Sequence, residues 1–416
     1  MTDYPRSAWE RIMKIQEVFQ KAYHRTITWK EAAQILNVDE RTTRRWKSIV
    51  EEDGYEGLLD QRLRKPSPKK APEKVQLEVI RLYRDIYKEW NVKHFHEQLL
   101  KRGIKYQYTW TKNVLQEAQL VAISHKRTVH RKKRDRKPLV GMMLHIDGSD
   151  HEWIPDLSPK RQTLIPILDD ANNEVYHAQL VSEEGTKECM EGLKEVVLKK
   201  GVFCSIYSDR AGHFHHTPKA GGRVDLGNLT QIGRALYELG IRIIPAYSPE
   251  ARGRGERLNE TWQGRLPNEL KLHGIKTVIE ANRYIRDTFR PWHNRDLKKT
   301  PLESSSAFTA YRGKDLDYVF SVKEDRVVNH DNTVQWNNLI LQIEPSKFRI
   351  SFAKCKVTVH DHLDNTLSVV YGPHVIGRYN ALGKSLKGII LKSPSPIRIN
   401  SKRIEVKERE ELLLAC

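Results

Sequence analysis

Up to about residue 123 the apolar positions recur with helical spacing. Between Trp9 and Tyr23 they fall at Ile12, Ile15, Val18, Phe19 and Ala22, one face of a helix. Thr28 then precedes Trp29-Lys30-Glu31, the order of an N-cap and its capping-box glutamate. Asn37-Val38-Asp39 reads as a short turn, with Asp39 able to cap a helix from Glu40 to about Glu51. Ala33, Leu36, Val38, Thr43 and Trp46 would fill the angle between the two helices, which is helix-turn-helix spacing. Glu73 to Trp90 is again amphipathic, with Val75, Leu77, Val79, Ile80, Leu82, Tyr83 and Ile86. A helix from Phe95 to Arg102 stops at Gly103, and Thr109 can cap another from Trp110 to Leu120. These predict a second helix-turn-helix unit.

From Pro138 the period changes. Leu139 to Ile146, Thr163 to Asp169 and Val175 to Val181 read as strands, the last two joined by the turn Asp170-Ala171-Asn172-Asn173. A helix from Thr186 to Lys200, a strand from Val202 to Ser208, a helix from Gln231 to Leu239 and a strand from Ile241 to Ala246 come next. Helices over about Glu256 to Leu272 and Thr277 to Phe289 complete this region. Three meandering strands and then helix–strand alternation predict a mixed five-stranded sheet with helices on both faces, the ribonuclease H-like arrangement. Beyond Asp317 the runs Val334 to Gln342, Lys356 to His360 and Leu367 to Tyr371 predict a small β-barrel.

The fold class expected is therefore multidomain. It has an all-α helix-turn-helix domain (1–60), a basic linker (61–72), a second helix-turn-helix domain (73–123) and a second basic linker (124–138). An α/β catalytic domain (139–300), a barrel (318–391) and a charged tail (392–416) complete the chain.

Charge changes the picture next. The chain carries Lys+Arg 72 against Asp+Glu 53, a net +19, which favours a polyanionic partner. Arg41, Arg44, Arg45 and Lys47 line one face of the second helix of the first unit, and Lys112 lies on the last helix of the second. Residues 125–137 hold eight Lys or Arg and one acid, with Arg131, Lys132, Lys133 and Arg134 at the centre. This run joins two DNA-reading units to the α/β domain, a position that suits phosphate tracking. Cys189, Cys204, Cys355 and Cys416 form no close pair, which argues against a zinc ribbon or disulfide scaffold and fits a reducing compartment. No N-terminal apolar core of a signal peptide is present, and no run approaches the roughly 20 residues that cross a bilayer. A cytoplasmic protein without a membrane partner is expected.

Three acids carry the candidate chemistry. Asp147 and Asp209 each end a predicted strand, and Glu256 comes after Gly253-Arg254-Gly255 at the start of a predicted helix. Phosphoryl transfer needs an activated attacking oxygen and a stabilised leaving oxygen, which two Mg²⁺ ions roughly 4 Å apart supply. Carboxylates without thiolates are the donors such hard cations prefer. Asp150, Asp169 and Asp170 read instead as caps and turn formers, and Glu260 rivals Glu256 from the next helical turn. His213, His215 and His216 with Cys204 hold zinc-ligand types at no standard spacing.

The runs Leu144-His145-Ile146-Asp147-Gly148-Ser149, Tyr207-Ser208-Asp209-Arg210 and Tyr247-Ser248-Pro249-Glu250-Ala251-Arg252-Gly253-Arg254-Gly255-Glu256-Arg257-Leu258-Asn259 resemble the three signatures of integrase-core transposases. These are the DDE enzymes of bacterial insertion sequences, similar to retroviral integrases, and the likeness is to the ISNCY type. The resemblance covers nearly the whole chain. It implies that Asp147, Asp209 and Glu256, rather than Glu260, are the catalytic and metal-holding acids, with two Mg²⁺ ions or Mn²⁺ in their place. It also implies that Asn259 contacts DNA, that a dimer or higher oligomer assembles on element ends with terminal inverted repeats, and that freed 3′-hydroxyls are joined to target DNA. It further implies a nucleoid-associated bacterial protein. The stretch between the second and third acids, residues 210–255, is longer than in many relatives, and the excess reads as a surface insertion over His213 to Asn228. A DNA-binding regulator that has lost catalysis, or a nuclease acting on RNA–DNA hybrids, remain alternatives.

Overall fold

The structure, a computed structural model, describes residues 4, 6–60, 71–123 and 134–386, except 156, 158–160, 220–221, 226, 248, 314 and 348. Most of the two basic linkers and all of the charged tail fall outside the described residues. The chain divides into two compact units, residues 1–88 with 98–123 and residues 89–97 with 124–416.

In the first unit, α1 (Arg6–Tyr23) buries the five predicted apolar residues. The expected capping box opens α2 (Trp29–Leu36): Thr28 Oγ1 accepts from Glu31 N–H, and Glu31 Oε2 accepts from Thr28 N–H at 2.7 Å. Asn37, left-handed at φ 49°, ends that helix, and Asp39 caps α3 (Glu40–Asp53) through Arg41 N–H. Ala32, Ala33 and Thr43 close the angle between α2 and α3, with Leu36, Val38 and Trp46 half-buried. α4 (Glu73–Asp85) is shorter than its apolar pattern predicts. α5 (Val92–Lys101) ends before Gly103 at φ +85°. α6 (Tyr108–Glu117) is preceded by Gln107 rather than capped by Thr109, and no side chain caps it.

The second unit holds a mixed sheet of β1 (Leu144–Ile146), β2 (Ser149–His151), β3 (Gln162–Asp169), β4 (Val175–Val181), β5 (Ser205–Ser208) and β6 (Arg242–Pro245). Its order across the sheet is β4-β3-β1-β5-β6, with the short β2 continuing β1 along β3. Pairs β1–β3 and β3–β4 are antiparallel, and β1–β5 and β5–β6 are parallel. The sheet is mixed, as expected, but it has six strands rather than five, because the chain after Asp147 continues along β3 as the short β2. β1 starts later than predicted, because Gly141 stands at φ +80°, a conformation no strand holds.

Alternating residues of β3 face two cores. Ile165 and Ile167 pack with α7 (Thr186–Lys200) and α8 (Gln231–Glu238). Leu164 and Leu168 pack against α9 (Pro249–Gln263), α10 (Leu266–Leu272) and α11 (Val278–Tyr284). α11 continues through a π-turn, Ile285–Phe289, into α12 (Arg290–Asp296). The sheet edge at β4 is covered: Asn282 bonds both backbone groups of Leu180, and Asn294 both of Val175. Residues of α5 belong here too, with His94 Nε2 2.6 Å from Glu269 and Glu97 held by both guanidinium nitrogens of Arg265.

After the short α13 (Leu316–Val319) comes a four-stranded antiparallel sheet of β7 (Ser321–Val327), β10 (Lys356–His362), β11 (Leu367–Tyr371) and β12 (His374–Tyr379), in the order β12-β11-β10-β7. β8 (Thr333–Trp336) and β9 (Leu339–Gln342) form a separate hairpin that turns at Asn337, φ 49°. The run from Val334 to Gln342 is therefore two strands, where its apolar pattern predicts one. The hairpin's Val334, Trp336 and Leu341 share a core with Val357, Val359 and Val369 of the sheet. Among the described residues no pairing closes these strands, so the expected barrel is instead an open sheet with a hairpin packed on it. Lys323 and Ser321 tie the sheet to α8 through Glu238 and Arg234. Among the described residues no helix is long and apolar enough to cross a membrane.

Candidate active site

Parallel pairing of β1 with β5 sets the site. His145 stands opposite Tyr207, so Asp147 and Asp209, each two residues further on, leave adjacent strands at the same level. Leu144, Ile146 and Ile206 are wholly buried and anchor both strand ends. Both acids are half-buried, and Asp209 Oδ1 accepts from Ala211 N–H at 3.0 Å, which turns the chain away from the sheet.

α9 supplies the third acid, and Glu256 lies in its middle rather than at its start. Gly255 is buried against Asp147: a Cβ there would stand 3.7 Å from Asp147 Oδ2. Glu256 is the next residue and is exposed. Glu260, also exposed, lies five residues from that contact, roughly 7.5 Å along the helix axis. One turn beyond Gly255, Asn259 is half-buried, and its Oδ1 has no hydrogen-bond partner among the described residues. One turn further, Gln263 Nε2 donates to Ser149 Oγ at 3.0 Å. Thus one face of α9 runs along the ends of β1 and β2, while among the described residues the ligand atoms of Asp147, Asp209 and Glu256 do not form a group within 4.8 Å of one another.

What holds that part of α9 is Asp170, which in sequence reads as a turn former. Its side chain is fully buried and accepts from His145 Nε2 (2.7 Å), Arg254 Nη1 (2.9 Å), Lys137 N–H (2.7 Å) and Arg134. Burial would raise this carboxyl, but the His145 hydrogen bond and charge, the Lys137 N–H and the Arg254 charge hold it well below the usual carboxylate range. Arg254 is itself lowered to about 10, chiefly by burial, with Asp170 opposing. Asp169 does behave as a turn former, accepting from Ala171 N–H and Gly141 N–H.

The other predicted contacts divide. Arg41 and Arg45 are exposed on α3, and Arg44 is exposed beside Glu40. Lys47 lies over the Trp29 ring at 4.8 Å and pairs with Glu51, so it braces the helices. Lys112 is half-buried rather than exposed. Arg134 is bound to Asp170, and Arg131, Lys132 and Lys133 lie outside the described residues. The segment after Asp209 is no mere surface insertion. Phe214 enters the core beneath α7 and α8, Thr230 donates to its carbonyl, and Arg210 holds Gly222 O at 3.0 Å.

The suspected zinc set does not assemble. Cys204 is exposed, and His215 Nε2 is 3.0 Å from Ser208 Oγ. His213 instead meets Glu184 and Cys189, whose ligand atoms all lie within 4.8 Å of one another. Sequence spacing could not find this group, since its members come from the start of α7 and a loop after β5.

A family model described as "Helix-turn-helix domain" matches residues 16–67. The "Putative transposase y4bF" of Sinorhizobium fredii is 26% identical over 370 residues, covering 88% of this chain and 80% of that protein. The "Transposase for insertion sequence IS1202" of Streptococcus pneumoniae is 26% identical over 349 residues, covering 75% of this chain and 73% of that protein. Among solved structures, the HTLV-2 integrase catalytic core domain in complex with magnesium aligns with a TM-score of 0.28 at 14% identity, covering 38% of this chain and 89% of that one. A simian T-cell lymphotropic virus intasome in complex with PP2A regulatory subunit B56 gamma aligns with a TM-score of 0.32 at 14% identity, covering 71% of this chain and 97% of that one. Over most of its length, then, this chain is similar to the transposases of bacterial insertion sequences.

Proposed function

We propose that the chain is a DNA transposase whose Asp147, Asp209 and Glu256 perform Mg²⁺-dependent cleavage at element ends and join the freed 3′-hydroxyls to target DNA. One observation carries the reading: parallel strands β1 and β5 deliver Asp147 and Asp209 to the same sheet end, where Gly255 of α9 lies against Asp147.

Asp147 and Asp209 would hold two Mg²⁺ ions, or Mn²⁺, together with Glu256. When bound, these ions activate the attacking oxygen and stabilise the leaving one. The protein's own work is placement. Buried Leu144, Ile146 and Ile206 fix the strand ends, and the Arg254–Asp170 pair fixes α9 beside them. Asn259, on the same side of α9, would contact the DNA, although its Oδ1 is buried and makes no hydrogen bond among the described residues. Arg41, Arg44 and Arg45 on α3 would read or track the element ends, and assembly on two ends would require at least a dimer.

The test uses the purified full chain, Mg²⁺ and duplexes carrying the terminal repeats that flank its gene. Wild type should cut and join; Asp147→Asn and Asp209→Asn should bind the ends but do neither. Strand transfer persisting in Asp147→Asn sinks the assignment. Wild-type binding without any cutting would make the chain a DNA-binding regulator, and preferential cutting of RNA–DNA hybrid would make it a nuclease of another kind.

A further inference from the structure

We propose that Glu184, Cys189 and His213 form a binding site for a thiophilic divalent cation of the Zn²⁺ class, separate from the Asp147–Asp209–Glu256 carboxylates. Geometry and donor chemistry support it, independently of the transposase reading. His213 Nε2 is 3.2 Å and Cys189 Sγ is 3.6 Å from Glu184 Oε1. A tetrahedral centre with bonds of roughly 2.0–2.3 Å has edges of about 3.3–3.8 Å, so the two donor pairs that share Glu184 already stand near such edges, and His213 and Cys189 lie within 4.8 Å of each other. One thiol, one imidazole and one carboxylate suit Zn²⁺, whereas Mg²⁺ takes oxygen. Three protein donors leave a fourth position for water.

The donors are held before any ion arrives. Cys189 is wholly buried in α7, and His213 packs on Phe214, itself a core residue, with ring centroids 4.3 Å apart. Gly148 leaves room for the Glu184 carboxylate where it stands: a Cβ there would lie 2.0 Å from Glu184 Oε2 and push that side chain aside. Glu184 and His213 keep 18% and 16% of their side-chain surface exposed, which leaves an entry from solvent. Binding exchanges the two hydrogen bonds to Glu184 for three coordinate bonds. The Cys189 thiol proton passes to solvent, and His213 turns to its Nδ1–H tautomer so that Nε2 can donate its lone pair. Because Gly148 adjoins Asp147 and His213 lies four residues past Asp209, a filled site braces the backbone beside both acids.

Co²⁺ titration of the full chain, followed by absorption, tests the site. A sulfur-to-cobalt charge-transfer band should saturate at one ion per chain and bleach when Zn²⁺ is added. It should vanish in Cys189→Ser and survive in the Asp147→Asn/Asp209→Asn double variant. Glu184→Gln and His213→Ala should each weaken Co²⁺ binding at least tenfold. No band in wild type overturns the proposal, as does a band that survives in Cys189→Ser, which would belong to another cysteine. If Cys189→Ser does not fold, unchanged Co²⁺ affinity in both Glu184→Gln and His213→Ala overturns it.

Discussion

Replacing Asp170 with alanine removes the buried anion on which Arg254, Arg134 and the His145 ring converge. The carboxyl is 0% exposed, its partner Arg254 12% and His145 4%, so little water is at hand to compensate the charges left behind. Breaking a buried pair from one side costs about 3–5 kcal/mol. For a unit of this size that corresponds to a fall in Tm of roughly 6–20 °C. Arg254→Ala alone should cost less, because Asp170 keeps His145 and Lys137 N–H. The double variant should be more stable than the sum of the singles predicts, by about 0.5–3 kcal/mol. Thermal unfolding of the full chain, followed by near-UV circular dichroism, reads all three. The contribution also has a pH signature. Asp170 has a depressed folded pKa, so its stabilisation is complete above the unfolded value of 3.8 and is lost as pH falls below it. A Tm shift under about 2 °C for Asp170→Ala, or strict additivity with Arg254→Ala, would refute the hub. Arg254→Ala should in addition slow end cleavage while leaving end binding intact, because it acts by positioning α9.

Gly148→Ala should push the Glu184 carboxylate aside, because its methyl group meets Glu184 Oε2 at 2.0 Å, and should therefore weaken Co²⁺ binding; unchanged Co²⁺ affinity would contradict this. His293 is buried, with Nδ1 accepting from Trp262 Nε1 at 3.0 Å and Nε2–H donating to Asn173 O, and burial lowers its pKa to about 4. Below pH 6.5 the unfolded chain therefore takes up a proton that the folded chain refuses, so stability falls between pH 6.5 and about 4, by on the order of 3 kcal/mol from this residue. His293→Gln should flatten a Tm–pH profile over that window, and an unchanged slope would contradict the assignment. Arg45→Ala should weaken end binding and reduce its dependence on log salt by about one, whereas Lys47→Ala should lower the stability of the α2–α3 pair; equal salt slopes for Arg45→Ala and wild type would exclude the phosphate contact.

Much of this protein is dictated by local rules. The Thr28–Glu31 box, the Asn37 turn and the buried face of α1 need only capping chemistry and helical period. The strand–helix order from Leu144 to Pro245 comes from period and punctuation, and it suffices to put Asp147 and Asp209 at strand ends. Tertiary structure decided the rest. Gly141 cut β1 short by its backbone conformation, and the Asn337 turn folded one expected strand into a hairpin, leaving an open sheet in place of a barrel. Asp170 looks like any turn aspartate in sequence; burial against Arg254, His145 and Arg134, drawn from positions far apart, makes it the anchor of α9. Phe214 has the look of a loop residue, yet the core beneath α7 and α8 receives it. Period and propensity act over a few residues, so they place acids on elements. Which charges are dehydrated together, and which donors converge, depends on contacts between elements distant in sequence, and only the folded chain brings those about.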